Sequence, residues 1–296
     1  MNEPTAILGP PTPRQIMRAK YAARPGINLT GLATLFWLTL RQHARARKLV
    51  ILSFLFILAN VLAILVRAFN KDVTPFALEF AVVLNVIPHV MITLTALLYA
   101  SAMIQDEIEE QTLTYLLIRP LPKWAIYLTK LLATLVLVIL FAAFFTVLTE
   151  GVIHWGSAGW WQEVLSLRVL KIISLMALLL VAYCSLFGCL SLFLRHMLIV
   201  GLIYSLLFEG FLANVDFAVR RVTVIYWFRI LAERWLPIDW AALNGVGADP
   251  WSMNLAEAPT NLSCVQVLAG GSLILTASAA LAFTVREFHV KTPEGS

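Results

Sequence analysis

Four acids fall within five residues of this sequence: Asp106, Glu107, Glu109 and Glu110. Behind them Ile104, Ile108, Leu113, Leu116 and Leu117 recur at helical spacing. Arg119-Pro120 then closes the run, because proline disfavours a helical conformation in the residue before it. Acids at the start and arginine at the end both suit the helix dipole. The pattern is that of a short amphipathic helix able to offer charge pairing and an apolar anchor to a protein. The bland alternative is a solvated loop whose charges only keep it soluble. Two further ionisable residues stand in apolar surroundings, His89 after Pro88 and Glu209 before Gly210. Charge is costly there and often functional. His89 reads either as a polar group in a cavity beside a kink or as a neutral histidine hydrogen-bonded to a neighbouring helix. Glu209 reads either as facing a pore or as paired with an outer arginine. Asn60 and Asn85 are milder cases.

Motifs for catalysis are missing. The sequence holds no Gly-x4-Gly-Lys-Ser/Thr phosphate loop, no His-Glu-x-x-His zinc pair and no Gly-x-Ser-x-Gly elbow. Cys184, Cys189 and Cys264 stand in apolar settings and read as small buried hydrophobes. No catalytic residue, cofactor-binding residue or metal ligand is therefore expected in this chain.

The elements that position these residues follow from composition. Of 296 residues, 60% are hydrophobic and 13% charged, with a mean hydropathy of +0.83. A soluble domain carries roughly 45–50% apolar and about 25% charged residues. Soluble, disordered, collagen-like and disulfide-scaffold classes are excluded, and an all-α integral membrane protein remains. A bilayer core needs roughly 20 apolar residues per helix. Six stretches qualify: about Leu49–Ala68, Phe80–Met103, Trp124–Thr149, Val169–Leu194, Met197–Val215 and Ser263–Val285. They are continuous apolar runs, whereas barrel strands would be shorter and would alternate. Only Arg195-His196 divides the fourth from the fifth, so those two form a tight hairpin.

Lys and Arg placement gives the orientation. With the N-terminus inside, 14 of the 22 basic residues are cytoplasmic and 8 lie outside. The cluster Arg41, Arg45, Arg47 and Lys48 abuts the first span, where the rule weighs most. Both termini are expected in the cytoplasm of a multi-pass inner-membrane protein. The net charge of +5 is then a topology signal and a contact for anionic lipid headgroups. A nucleic-acid partner is not expected, since no soluble basic face interleaves aromatics.

The chain divides into a polar tail (1–26), one six-span domain (27–290) and a short cytoplasmic tail (291–296). The first tail reads as disordered and lacks the apolar core of a signal peptide. Within the domain, 27–48 reads as a helix lying in the inner interface, or else as an extension of the first span. Residues 104–123 form the acidic segment between spans two and three. Residues 216–262 form a long outer segment, whose part Val219–Leu236 is too charged to span. Its Trp and Tyr suit the headgroup level, as do Trp160 and Trp161.

The acidic segment carries a resemblance. Asp106-Glu107-x-Glu109-x-x-Thr112-Leu113-x-x-Leu116-Leu117-x-Arg119-Pro120, continuing to Lys123 and Lys130, resembles the cytoplasmic loop of ABC exporter permeases of the type-2 class. Those carry an acidic pair, Gly-Thr-Leu, Leu-Leu, Arg-Pro and a Gly-Lys opening span three. Gln111 and Thr129 stand here where that pattern has Gly. The family also has six spans, cytoplasmic termini, an interfacial helix before span one and outer re-entrant helices between spans five and six. Glu209-Gly210 with its aromatic-basic continuation resembles a subset of these permeases. The likeness covers about residues 27–290.

The resemblance implies an exporter permease that is not itself an enzyme. It would pair with a second permease subunit, as a homodimer or heterodimer, amid membrane lipids. A separate ABC-type ATPase would bind ATP and Mg. The coupling residues would be Asp106, Glu107, Glu109, Glu110, Thr112, Leu113, Leu116, Leu117, Arg119 and Pro120, seated in a groove of that ATPase. Two other classes stay open on the sequence. One is a membrane enzyme acting on lipid or peptide at the outer surface, using Glu209, Asp216, Asp239 or Asp249. The other is a non-transporting scaffold that passes a mechanical signal.

Overall fold

A computed structural model describes residues 29–70, 73–109, 121–157, 159–194, 196–214, 218–236, 238, 251 and 258–286. Helices α1 (Leu29–Arg45) and α2 (Arg47–Phe69) meet at Ala46, whose extended backbone (φ −66°, ψ 140°) breaks the helix between them. The segment before the first span is therefore a separate helix and not an extension of it. Leu35, Thr39 and His43, four residues apart, form the buried face of α1 against α4 (Lys123–Ile153), while Trp37 and Leu38 stay exposed.

The second span, α3 (75–109), changes pitch along its length. Glu79–Ile92 winds as a wide π-type stretch that contains Pro88, and Thr93–Glu109 returns to ordinary α-helix. Proline removes a backbone donor and clashes with the carbonyl one turn back, and a wider turn accommodates both. Side chains cover carbonyls five residues behind them: Asn85 Nδ2 donates to Phe80 O at 2.9 Å, and Thr93 Oγ1 donates to Pro88 O at 3.1 Å.

The short helix α5 (Trp160–Val164) leads into α6 (Leu167–Leu190), then α7 (Met197–Asn214), the outer helix α8 (Val224–Trp235) and α9 (Asn261–Val285). Among the described residues, six helices are long and apolar enough to cross a membrane. Spans two and four have 61% and 67% of their apolar windows buried, against 28%, 22% and 28% for spans one, five and six. That difference places α3 and α6 at the centre, with α6 packed against α3, α4, α8 and α9. The peripheral spans turn apolar faces outward, as expected where lipid is the solvent. Gly201 of α7 lets that helix approach closely, since a Cβ there would lie 2.1 Å from Leu97 Cδ1 of α3.

One expectation needs correction. The acids were placed on a separate cytoplasmic helix starting near Ile104. Instead Ile104 is fully buried and α3 runs unbroken to Glu109, because no proline or glycine interrupts Met103–Glu109. The outer stretch Val219–Leu236 is two pieces, a 3-10 turn (Ala218–Val222) and α8. Seven residues of α8, Arg229 among them, are buried. That face packs against α6.

Candidate functional site

At one end of the bundle, where α3 finishes and α4 begins, charged side chains tie helices together. Lys48, at the start of α2, donates to Asp106 Oδ2 at 2.7 Å. Lys130, on α4, donates to Glu107 Oε1 at 2.6 Å and to Met103 O at 3.1 Å. Their exposures separate the two pairs. The Lys48–Asp106 side chains are 31% and 42% exposed, and the Lys130–Glu107 side chains 3% and 13%. Gln105 Nε2 reaches Leu194 O at 2.7 Å, beyond α6, and Lys123 Nζ reaches Thr284 O of α9 at 3.4 Å. Tyr99 OH donates to His43 O at 3.4 Å, and the two rings meet edge-on at 5.4 Å. Burial pushes the His43 imidazole pKa down to about 4, helped by the nearby Lys130 and Lys48 charges.

Asp106 and Glu107 are thus paired within the chain, a use of their charge that the sequence reading assigned to a partner protein. Glu109 lies in the last turn of α3. Glu110, Thr112, Leu113, Leu116, Leu117, Arg119 and Pro120 lie outside the described residues. Lys48 and Lys130 were read only as a topology signal and as part of a motif. Lys130 carried a stronger signal, a charge inside the apolar run 124–149.

Deeper in the bundle, His89 and Arg229 meet. Arg229 donates to His89 Nε2 at 2.7 Å, to Asn214 Oδ1 at 2.9 Å and to Ala213 O at 3.2 Å. A guanidinium only donates, so Nε2 accepts and the imidazole proton sits on Nδ1, which donates to Asn85 O at 2.8 Å. The histidine is neutral and bonded to a neighbouring element, one of its two readings. Asn85 Oδ1 in turn accepts from Trp251 Nε1 at 2.9 Å. Spans two and five are therefore linked to the outer segment through polar side chains.

Glu209 makes three hydrogen bonds that its sequence setting does not announce. Oε1 accepts from Tyr204 OH at 3.0 Å and from Val224 N at 3.2 Å, and Oε2 accepts from Ile225 N at 3.1 Å. Its carboxylate caps the N-terminus of α8, where orphan amides and the helix dipole favour an anion. Tertiary folding brings these groups together across 15 residues, so no local capping signature marks them.

Among the described residues no group of three or more His, Cys, Asp or Glu is placed to hold a metal ion. Cys184, Cys189 and Cys264 are buried free thiols.

Among the described residues there is no strand, and six helices of membrane length are the build of a multi-pass membrane protein. The sequence matches the family described as ABC-2 family transporter protein over residues 33–218. That is more than half of the chain, which belongs to this family and is a membrane permease of an ABC transporter. The family implies association with an ABC ATPase subunit. The match runs from α1 through α7 and leaves α8 and α9 beyond it. No curated protein matches the chain.

Proposed function

We propose that this chain forms the translocation pathway of an ATP-driven exporter and receives its energy through residues 104–123. One observation carries the reading. The acidic end of α3 is braced to α2 by Lys48 and to α4 by Lys130, so a push on 104–123 is delivered to three spans at once. Rigid continuity with spans is what a coupling lever needs. Glu109, Glu110, Thr112, Leu113, Leu116, Leu117, Arg119 and Pro120 form the docking part, and Asp106 and Glu107 hold its root. A second permease subunit completes the pathway. The ATPase partner supplies ATP and Mg chemistry. The excess of Lys and Arg on the α1 side supports cytoplasmic termini.

The test is co-purification of the permease with its ATPase, followed by ATP hydrolysis in reconstituted bilayers. Glu109→Lys with Glu110→Lys is expected to abolish partner capture or to uncouple hydrolysis from transport. Wild-type capture, hydrolysis and transport in that variant would overturn the assignment.

A further inference from the structure

At the end of the bundle opposite the acidic root, the starts of α3 and α6 and the end of α4 line an open cleft of about 440 Å³. Pockets of this size hold small molecules. Its wall includes Thr74, Glu79, Glu150, His154, Glu163 and Arg168. Two of the carboxylates are almost wholly buried, Glu79 at 3% exposure and Glu150 at 1%. They are not equivalent. Glu79 Oε1 accepts from Arg168 Nε at 2.8 Å, so that carboxylate already has its cation. Glu150 Oε2 lies 3.4 Å from His154 Nδ1, while Glu150 Oε1 is buried and receives no hydrogen bond. His154 Nδ1 also faces Glu150 O at 3.1 Å, so its one proton is shared between two acceptors. The Glu150 contact holds the His154 pKa above its ordinary value. Even with His154 charged, the described ionisable lining residues are three anions against two cations.

A buried carboxylate oxygen with no donor is costly, and the low dielectric that makes it so strengthens its attraction for a cation. The wall chemistry selects the cation. A hard divalent metal takes six or more oxygens, and the Arg168 guanidinium within the same wall repels it. No three-ligand metal cluster occurs among the described residues. A quaternary ammonium has no N–H to give and recognises aromatic cages, while Phe76, the aromatic residue of the lining, already lies under Arg168 at 5.4 Å. A primary ammonium carries three donors. One suits Glu150 Oε1, and the hydroxyls of Thr74, Ser157 and Ser166 on the same wall offer neutral acceptors for the rest.

We propose that this cleft is a binding site for a primary ammonium group, carried by a free amine or by an ethanolamine-type lipid headgroup, with Glu150 as its counter-ion. The site is separate from the coupling segment, so it stands or falls independently of the function proposed above.

The experiment uses the full purified chain and reads its melting temperature. In nanodiscs of phosphatidylglycerol, ethanolamine and ethylamine are expected to raise the melting temperature saturably. Ethylene glycol and tetramethylammonium, at matched ionic strength, are expected to leave it unchanged. Glu150→Gln is expected to weaken the amine response at least tenfold. If that variant fails to fold, the ligand series on the wild type decides alone. In nanodiscs containing phosphatidylethanolamine, a raised baseline that free ethanolamine no longer shifts identifies the lipid as the source. An unchanged baseline with the full amine response identifies the free amine. No amine response in either bilayer, an equal response to the diol or the quaternary ion, or an undiminished response in Glu150→Gln would overturn the proposal.

Discussion

Lys130 holds Glu107 at 2.6 Å from a position only 3% exposed, and so joins the third span to the last turns of the second. The neighbouring pair, Lys48 and Asp106, has nearly the same separation, 2.7 Å, but is much wetter. Equal geometry with unequal burial gives unequal energetic roles, because solvent screens the exposed pair and desolvation governs the buried one.

Lys130→Met removes the ammonium that Glu107 faces and is expected to destabilise the protein by about 3–5 kcal/mol. The double variant Lys130→Met with Glu107→Leu should recover most of that loss, since well-packed apolar side chains often replace a buried pair without cost. Lys48→Met should cost no more than about 1 kcal/mol. Thermal unfolding of the four purified proteins checks the order, and a Lys48→Met loss equal to that of Lys130→Met would contradict it.

Glu209→Ala strips the acceptor from two α8 amides, those of Val224 and Ile225. Loss of a helix cap costs roughly 0.5–2 kcal/mol. The amide oxygen of Glu209→Gln keeps part of the cap, so that variant should fall between. Faster trypsin cleavage at Arg220 and Arg221 in Glu209→Ala is the local readout. Cleavage at wild-type rates would remove the capping role.

His43 is buried with its pKa near 4, against an ordinary value of 6.5. The unfolded chain therefore binds more protons than the folded one between those values. Stability rises with pH across that window, is fully present above about 6.5 and is lost as pH falls toward 4. His43→Gln removes this dependence. The difference in unfolding free energy between wild type and variant should change by on the order of 3 kcal/mol from pH 7 to pH 4. A flat difference would show that folded His43 takes up its proton as readily as it does in the unfolded chain.

The six spans were legible in the sequence, with boundaries such as Leu49–Ala68 against the observed Arg47–Phe69. The break between α1 and the first span was one of two open readings, and Ala46 gave no signal for choosing between them. The acidic cluster was visible, but its root was drawn as a separate helix because its polarity changes sharply at Gln105, while the backbone has no reason to stop there. Glu79 and Glu150 passed unremarked because each borders an apolar run, where a charge is ordinary. Only their meeting in space with Arg168 and His154 made them notable.

The sequence alone determined the class of protein and the number of spans, because bilayer thickness fixes the length of every apolar run and each helix satisfies its own backbone. Tertiary structure decided which charges meet. Glu107 and Lys130 are 23 residues apart, and His89 and Arg229 are 140 apart. Nothing local encodes such pairs. They form where helices packed by their apolar faces leave polar side chains no water, so that each must find its partner on whichever neighbour the fold supplies.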